Sequence, residues 1–185
     1  MAKVLVPLAK GFEEIEAVTI IDVLRRGGVD VTTASISAQT EVEGAHGMVV
    51  RADALFAEVK DMEYDAIVLP GGGEGTENLM NCDALCRRLQ VQKEAGRLNC
   101  AICAAPTVLV EAGVVDPGLH VTCYPSVAPE MDRPVAPVQV VSDHDVITGQ
   151  APGAAMLFSL VVLQALAGED VAAKVAAGMV TSVLG

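Results

Sequence analysis

The residues best equipped for chemistry in this 185-residue chain are a cysteine and a glutamate. Cys103 ends the run Leu98-Asn99-Cys100-Ala101-Ile102 and is followed at once by Ala104, Ala105 and Pro106. The run reads as a buried strand and Pro106 as an early helix residue. The thiol therefore belongs on a sharp strand-to-helix turn, with the small neighbours a tight elbow needs. Unpaired N–H groups at a helix start favour thiolate, which predicts a lowered pKa. Position alone leaves two readings level, a reactive thiolate or a small buried hydrophobe. Glu16 shares a helical row with Ile20 and Val23. A carboxyl on such a row is partly desolvated, its pKa rises, and once protonated it can donate a hydrogen bond to a thiolate or an oxidised sulfur. The competing reading has Glu13, Glu14 and Glu16 simply complementing the helix dipole.

A third feature is Gly71-Gly72-Gly73. Its backbone N–H groups can form half an oxyanion hole, with the Ala104 N–H as the other half; a plain glycine turn is the alternative. A phosphate loop is a poor alternative, because Gly75 precedes Thr76 and no Gly-Lys-Ser/Thr follows. Cys100 and Cys103 form a C-x-x-C, but three strand steps separate their Cα atoms by roughly 10 Å, beyond the ~7 Å reach of a disulfide. Cys82 and Cys86 have helical spacing without the His or acidic partners that a four-ligand metal site requires. With Cys123 the cysteines number five, an odd and irregular set that argues against a disulfide framework.

The elements that must position these groups alternate along the chain. Strands are predicted at Val4–Ala9, Val31–Ile36, Met48–Val50, Asp65–Leu69, Leu98–Ile102, His120–Cys123, Val138–Val141 and Val146–Thr148. Helices are predicted at Glu13–Arg26, Ala54–Met62, Asn81–Ala95, Pro106–Ala112, from Pro152 to Ala167, and at Asp170–Met179. This pattern predicts one α/β domain over residues 1–185 with a mostly parallel sheet. Sites in such sheets lie at the carboxyl ends of strands, where the Lys10–Glu16, Gly71–Gly73 and Cys103–Ala104 segments all fall.

Bulk composition narrows the function further. Aromatic residues make up only 3% of the chain, so Val, Ala, Leu and Ile must build the core. A net charge of −12 with no basic patch disfavours sequence-specific nucleic-acid binding and anionic membrane surfaces. The apolar stretch at Ala154–Ala167 is too short to span a bilayer. With no leader pattern and no disulfide framework, a reducing, cytoplasmic setting is expected.

Four segments then carry a resemblance. Lys10-Gly11-Phe12-Glu13-Glu14-Ile15-Glu16, Leu69-Pro70-Gly71-Gly72, Ala101-Ile102-Cys103-Ala104-Ala105-Pro106 and Ala151-Pro152-Gly153 resemble, in order and spacing, the DJ-1/PfpI superfamily, and within it the DJ-1 branch with its YajL-like members. The resemblance covers nearly the full length. It implies a flavodoxin-like three-layer sandwich with a nucleophile elbow, and a homodimer. It implies Cys103 as nucleophile and redox thiol, Glu16 as its protonated partner, Gly72 and Ala104 as backbone donors, and Tyr124 and Pro152 at the pocket. It implies no metal and no cofactor. The implied activity is glyoxalase or protein deglycase chemistry on small 2-oxoaldehydes such as methylglyoxal, or on glycated protein or nucleotide. The alternative is a redox sensor or chaperone-like protein acting through oxidation of Cys103.

Two departures refine this expectation. Many members carry His in Val-Thr-x-His-Pro, where this chain has Val121-Thr122-Cys123-Tyr124-Pro125. A phenol is a poor general base near neutrality, so proton transfer falls to Glu16. The peptidase-like branch places His directly after the nucleophile, where Ala104 stands here. His144-Asp145-Val146 does not supply the later His-x-Glu of glutamine amidotransferases, and neither His46 nor His120 does. Protease and amidotransferase readings both lose their base.

Overall fold

Strands covered on both faces carry near-continuous apolar runs, and such runs form the centre of this molecule. The computed structural model describes residues 1–181. In chain order its elements are β1 (Lys3–Leu8), α1 (Glu14–Arg26), β2 (Asp30–Ser35), β3 (Glu41–Glu43), β4 (Val49–Arg51), β5 (Ala54–Leu55), α2 (Phe56–Val59), β6 (Ala66–Leu69) and α3 (Gly73–Met80). There follow α4 (Asp83–Glu94), β7 (Leu98–Ile102), α5 (Pro106–Glu111), β8 (Val140–Asp143), β9 (Val146–Gly149), α6 (Ala155–Ala167) and α7 (Glu169–Gly178). Seven strands form one sheet in the order β5-β2-β1-β6-β7-β9-β8. Every pairing is parallel except that of β8 with β9.

Alternation along each strand divides the core into two layers. Val4, Val6 and Leu8 of β1, Ala66 and Val68 of β6, and Cys100 and Ile102 of β7 face the cluster that includes α1, α6 and α7 residues. Leu5, Ile67, Leu69 and Ala101 face the opposite cluster with α3, α4 and α5 residues. The result is the three-layer flavodoxin-like sandwich expected. Among the described residues, no helix is long and apolar enough to cross a membrane.

Several predicted elements differ. Residues 73–80 form a helix of their own, separated from α4 by Asn81 and Cys82. Gly73 and Gly75 are poor helix formers, but a Cβ at Gly75 would lie 2.8 Å from the Gly11 carbonyl oxygen, so close packing selects glycine there. The segment His120–Cys123 makes one bridge, Val121 to Val135, in place of a strand. Thr122 bonds instead to the Thr148 Oγ1 (2.8 Å) and the Val138 carbonyl (2.7 Å). The Ala54–Met62 segment splits, because Ala54 and Leu55 pair with β2 as the edge of the sheet and leave only Phe56–Val59 as helix. Met48–Val50 belongs to a separate antiparallel pair, β3 with β4; polar Glu41 and Glu43 in β3 conceal that partner from a hydropathy reading.

Candidate functional site

The three segments at the strand ends converge. The carboxyl ends of β1, β6 and β7 are neighbours in the sheet, and the loops leaving them are stitched together by backbone bonds. Glu13 N–H donates to the Gly71 carbonyl (3.0 Å) and Gly75 N–H to the Gly11 carbonyl (3.2 Å). Gly72 is the residue this crossing point depends on: its φ is +97°, and a Cβ there would collide with the Gly11 carbonyl oxygen and sit 2.8 Å from the Glu13 nitrogen.

Glu16 is completely buried in the first turn of α1. Its Oε2 accepts the Gly71 N–H at 2.7 Å, while its own backbone N–H is capped by Glu13 Oε2 at 2.8 Å. Its Oε1 is buried without a completed hydrogen bond, and the side chain meets the Cys103 thiol. Burial is the main reason that its pKa rises from 4.5 to about 7, against the lowering effect of the Gly71 N–H. Of the two readings of the glutamates, the complete burial of Glu16 matches the desolvated row. Glu13 is the helix cap, and Glu14 holds His46, through the backbone N–H (2.6 Å) and ring Nδ1 (2.8 Å).

Cys103 sits at the predicted elbow, only 8% exposed. Its φ of +65° is left-handed, a conformation that costs a non-glycine residue about 1–3 kcal/mol and persists only where its surroundings enforce it. The enforcing contacts are its N–H on the Gly149 carbonyl (3.0 Å) and its own carbonyl on the Tyr124 N–H (2.7 Å). The backbone N–H groups of Gly72 and Ala104 lie near enough to the sulfur to lower its pKa, which brings together all four principal residues of the sequence reading. Tyr124 is 43% exposed, and its tie to the elbow is through backbone. Pro152 is half-buried at the start of the turn after β9, the strand beside β7.

The predicted lowering of the thiol pKa is corrected. Burial first, and then the charge and hydrogen bond of ionised Glu16, push Cys103 up to about 12, with the Ala104 and Gly72 N–H groups pulling the other way. The thiol and carboxyl are coupled: they compete for one negative charge, and only a neutral Glu16 ceases to oppose the thiolate.

Sequence reasoning missed two participants. Gly71 does not join the sulfur-binding donors; its N–H holds the carboxyl, and a Cβ there would lie 2.7 Å from Cys103 Cβ and 2.8 Å from Glu16 Oε2. Gly149 receives the elbow N–H from β9, a contact no local motif signals. All five cysteines are free thiols. Glu13, Glu14 and His46 bring ligand-type atoms within 4.8 Å of one another, but this proximity is accounted for by the cap and hydrogen bonds just described.

A parallel α/β sandwich with a buried carboxyl–thiol pair at a strained elbow is the architecture of a defined class. A family model, "DJ-1/PfpI family", matches residues 2–165, and the chain belongs to that family. It is 40% identical over 180 residues to Protein DJ-1 homolog B of Arabidopsis thaliana, covering 96% of this chain and 41% of that protein. The chain thus spans about two fifths of the length of that plant relative. It is 36% identical over 162 residues to the glutathione-independent glyoxalase DJR-1.2 of Caenorhabditis elegans, covering 85% of this chain and 84% of the other. The structure of oxidized DJ-1 from Toxoplasma gondii superposes with a TM-score of 0.92 at 36% identity, covering 98% of this chain and all of that one.

Proposed function

We propose that this chain is a cofactor-independent glyoxalase for small 2-oxoaldehydes, with Cys103 as nucleophile and Glu16 as proton carrier. The observation that carries the proposal is the fully buried Glu16, whose carboxyl meets the thiol and whose pKa stands near 7. A group that titrates near neutrality both gives and takes a proton efficiently. Sulfur adds to the aldehyde carbon of methylglyoxal, and the thiol proton passes to the new oxygen, giving a hemithioacetal. Glu16 as carboxylate removes the hydrogen from that carbon and returns it to the adjacent one, while the hydroxyl proton moves from the first oxygen to the ketone oxygen, leaving a thioester of lactate. Water cleaves the thioester, releasing lactate and restoring the thiol. The Gly72 and Ala104 N–H groups serve as donors to the charge that develops. The same steps extend to 2-oxoaldehyde adducts on protein or nucleotide, and Tyr124 and Pro152 border the entrance. Lactate formation by the purified protein, followed by proton NMR, tests the assignment. Cys103→Ala should abolish it and Glu16→Gln should reduce it by about 100-fold or more; full turnover by Cys103→Ala would sink it.

Oxidative sensing is a second reading, favoured by two N–H donors that already converge on the sulfur and suit sulfinate oxygens. After mild peroxide treatment, mass spectrometry should then find Cys103 oxidised ahead of Cys82, Cys86 and Cys123. The proposal also includes a homodimer. Ile15 and Val18 on the outer face of α1, and Met48 and Val49 at the β3–β4 pair, are large apolar residues left 47–61% exposed, and such exposure marks association surfaces. Five free thiols suit a reducing, cytoplasmic setting.

A further inference from the structure

A second concentration of charged side chains lies at the other end of the sheet, beside the amino ends of β6 and β7. A cavity of about 370 Å³ opens there between α4 and the turn that precedes β6, a volume in the range of small-ligand sites. Arg87 and Arg88 enter it from α4, Arg97 from the residue before β7, and Lys60 from the facing turn. Four of the chain's twelve Lys and Arg residues thus line one cavity in a chain of net charge −12. Two carboxylates share the lining, Asp61 and Glu63. They are taken by the outer cations, Asp61 by Lys60 at 2.6 Å and Glu63 by Arg97 at 3.2 Å.

Arg88 is the member that needs explaining. It is only 9% exposed, and a buried cation without a partner is costly. One Nη donates to the Met62 carbonyl at 3.1 Å, yet Nε is buried with no acceptor. Burial first, and then the neighbouring Arg97, pull its pKa down, against the opposing effect of Tyr64, Asp61 and Glu63. Packing does not require arginine here, because the adjoining Leu85 and Leu89 already fill the core side of α4. The lining carries a surplus of two positive charges, four cations less two carboxylates. A phosphate monoester is close to a dianion at neutral pH, and guanidinium forks match its oxygens. Val91 and Ala84 supply an apolar wall beside them.

We propose that this cavity is a binding site for a small phosphate monoester, its phosphate held by Arg88 and Arg87 with Arg97 and Lys60 behind them. The site is independent of the thiol chemistry, since no element is shared with the Cys103 pocket except the opposite ends of β6 and β7. Isothermal titration of the whole protein with phenyl phosphate and with inorganic phosphate, at matched ionic strength, tests it. Saturable one-to-one binding of phenyl phosphate is expected, tighter than that of inorganic phosphate. Arg87→Gln, an exposed position whose change spares the fold, should weaken it about tenfold or more, as expected for loss of a charge-assisted bond. Arg88→Lys, which keeps the charge and loses the fork, should weaken it similarly. Cys103→Ala should bind as the parent does. No saturation at about 10 mM phenyl phosphate, unchanged binding by Arg87→Gln, or loss of binding in Cys103→Ala would each overturn the proposal.

Discussion

Glu16 and Cys103 compete for a single negative charge in a pocket that solvates neither ion well. The carboxyl has the easier ionisation of the two, at about 7 against about 12, so the resting pair near neutrality exchanges between neutral and singly charged. That property has a thermodynamic signature. In the unfolded chain Glu16 ionises near 4.5, and in the folded chain near 7. Between these values the folded state retains a proton that the unfolded state has released. Stability from this group is therefore greatest below 4.5, declines as pH rises, and levels off above about 7. The total change is about 3 kcal/mol, at about 1.4 kcal/mol per pH unit. Urea unfolding of the protein and of Glu16→Gln across this window should show the parent losing that amount relative to the variant. A constant difference would mean that Glu16 is ionised throughout.

The elements matter because the pair is held by three loops that no single element supplies. Gly72 is the tightest point between the loops after β1 and β6. Gly72→Ala places a methyl group against backbone at a positive φ, and should cost about 2 kcal/mol or more in thermal or denaturant unfolding; a neutral substitution would show that the loops separate easily. The N-terminus of α1 is capped by Glu13 rather than by a Ser or Asp, so Glu13→Ala should cost about 1 kcal/mol and also loosen Glu16, whose N–H it accepts. Lactate assays on that variant should show a loss larger than its change in stability explains. Both strands next to the elbow, β6 and β7, were legible as apolar runs. Helix α3 was not, since Gly73 and Gly75 oppose helix by propensity and are required by contact with Gly11.

Across the whole molecule, the outward face of α1 and the β3–β4 pair lie near the site, joined to it by the Glu14–His46 bonds. If this face closes a homodimer, Ile15→Lys places a charge in an apolar contact. Sedimentation should then show a monomer where the parent sediments as a dimer, and a monomeric parent would refute the assignment. Below neutrality, protonation of His46 strengthens its pairing with Glu14, whose bond raises the imidazole pKa. The loop that carries His46 should accordingly be held more tightly in mild acid, which amide exchange at His46 can measure.

Local chemistry was written in the chain. Apolar runs without alternation specify strands buried on both faces, and the strand–Cys103–Ala104–Ala105–Pro106 order specifies an elbow, because these signals depend on neighbours in sequence. Tertiary structure alone decided the state of the thiol. Whether Cys103 is raised or lowered depends on burial first, then on Glu16 from α1, and on the Ala104 and Gly72 N–H groups that oppose them, Gly72 from the loop after β6. Electrostatic free energy in a dry pocket is set by distance and desolvation. Neither quantity is encoded by spacing along the chain, so a cysteine expected to be acidic is instead one whose ionisation is governed by the proton on its partner.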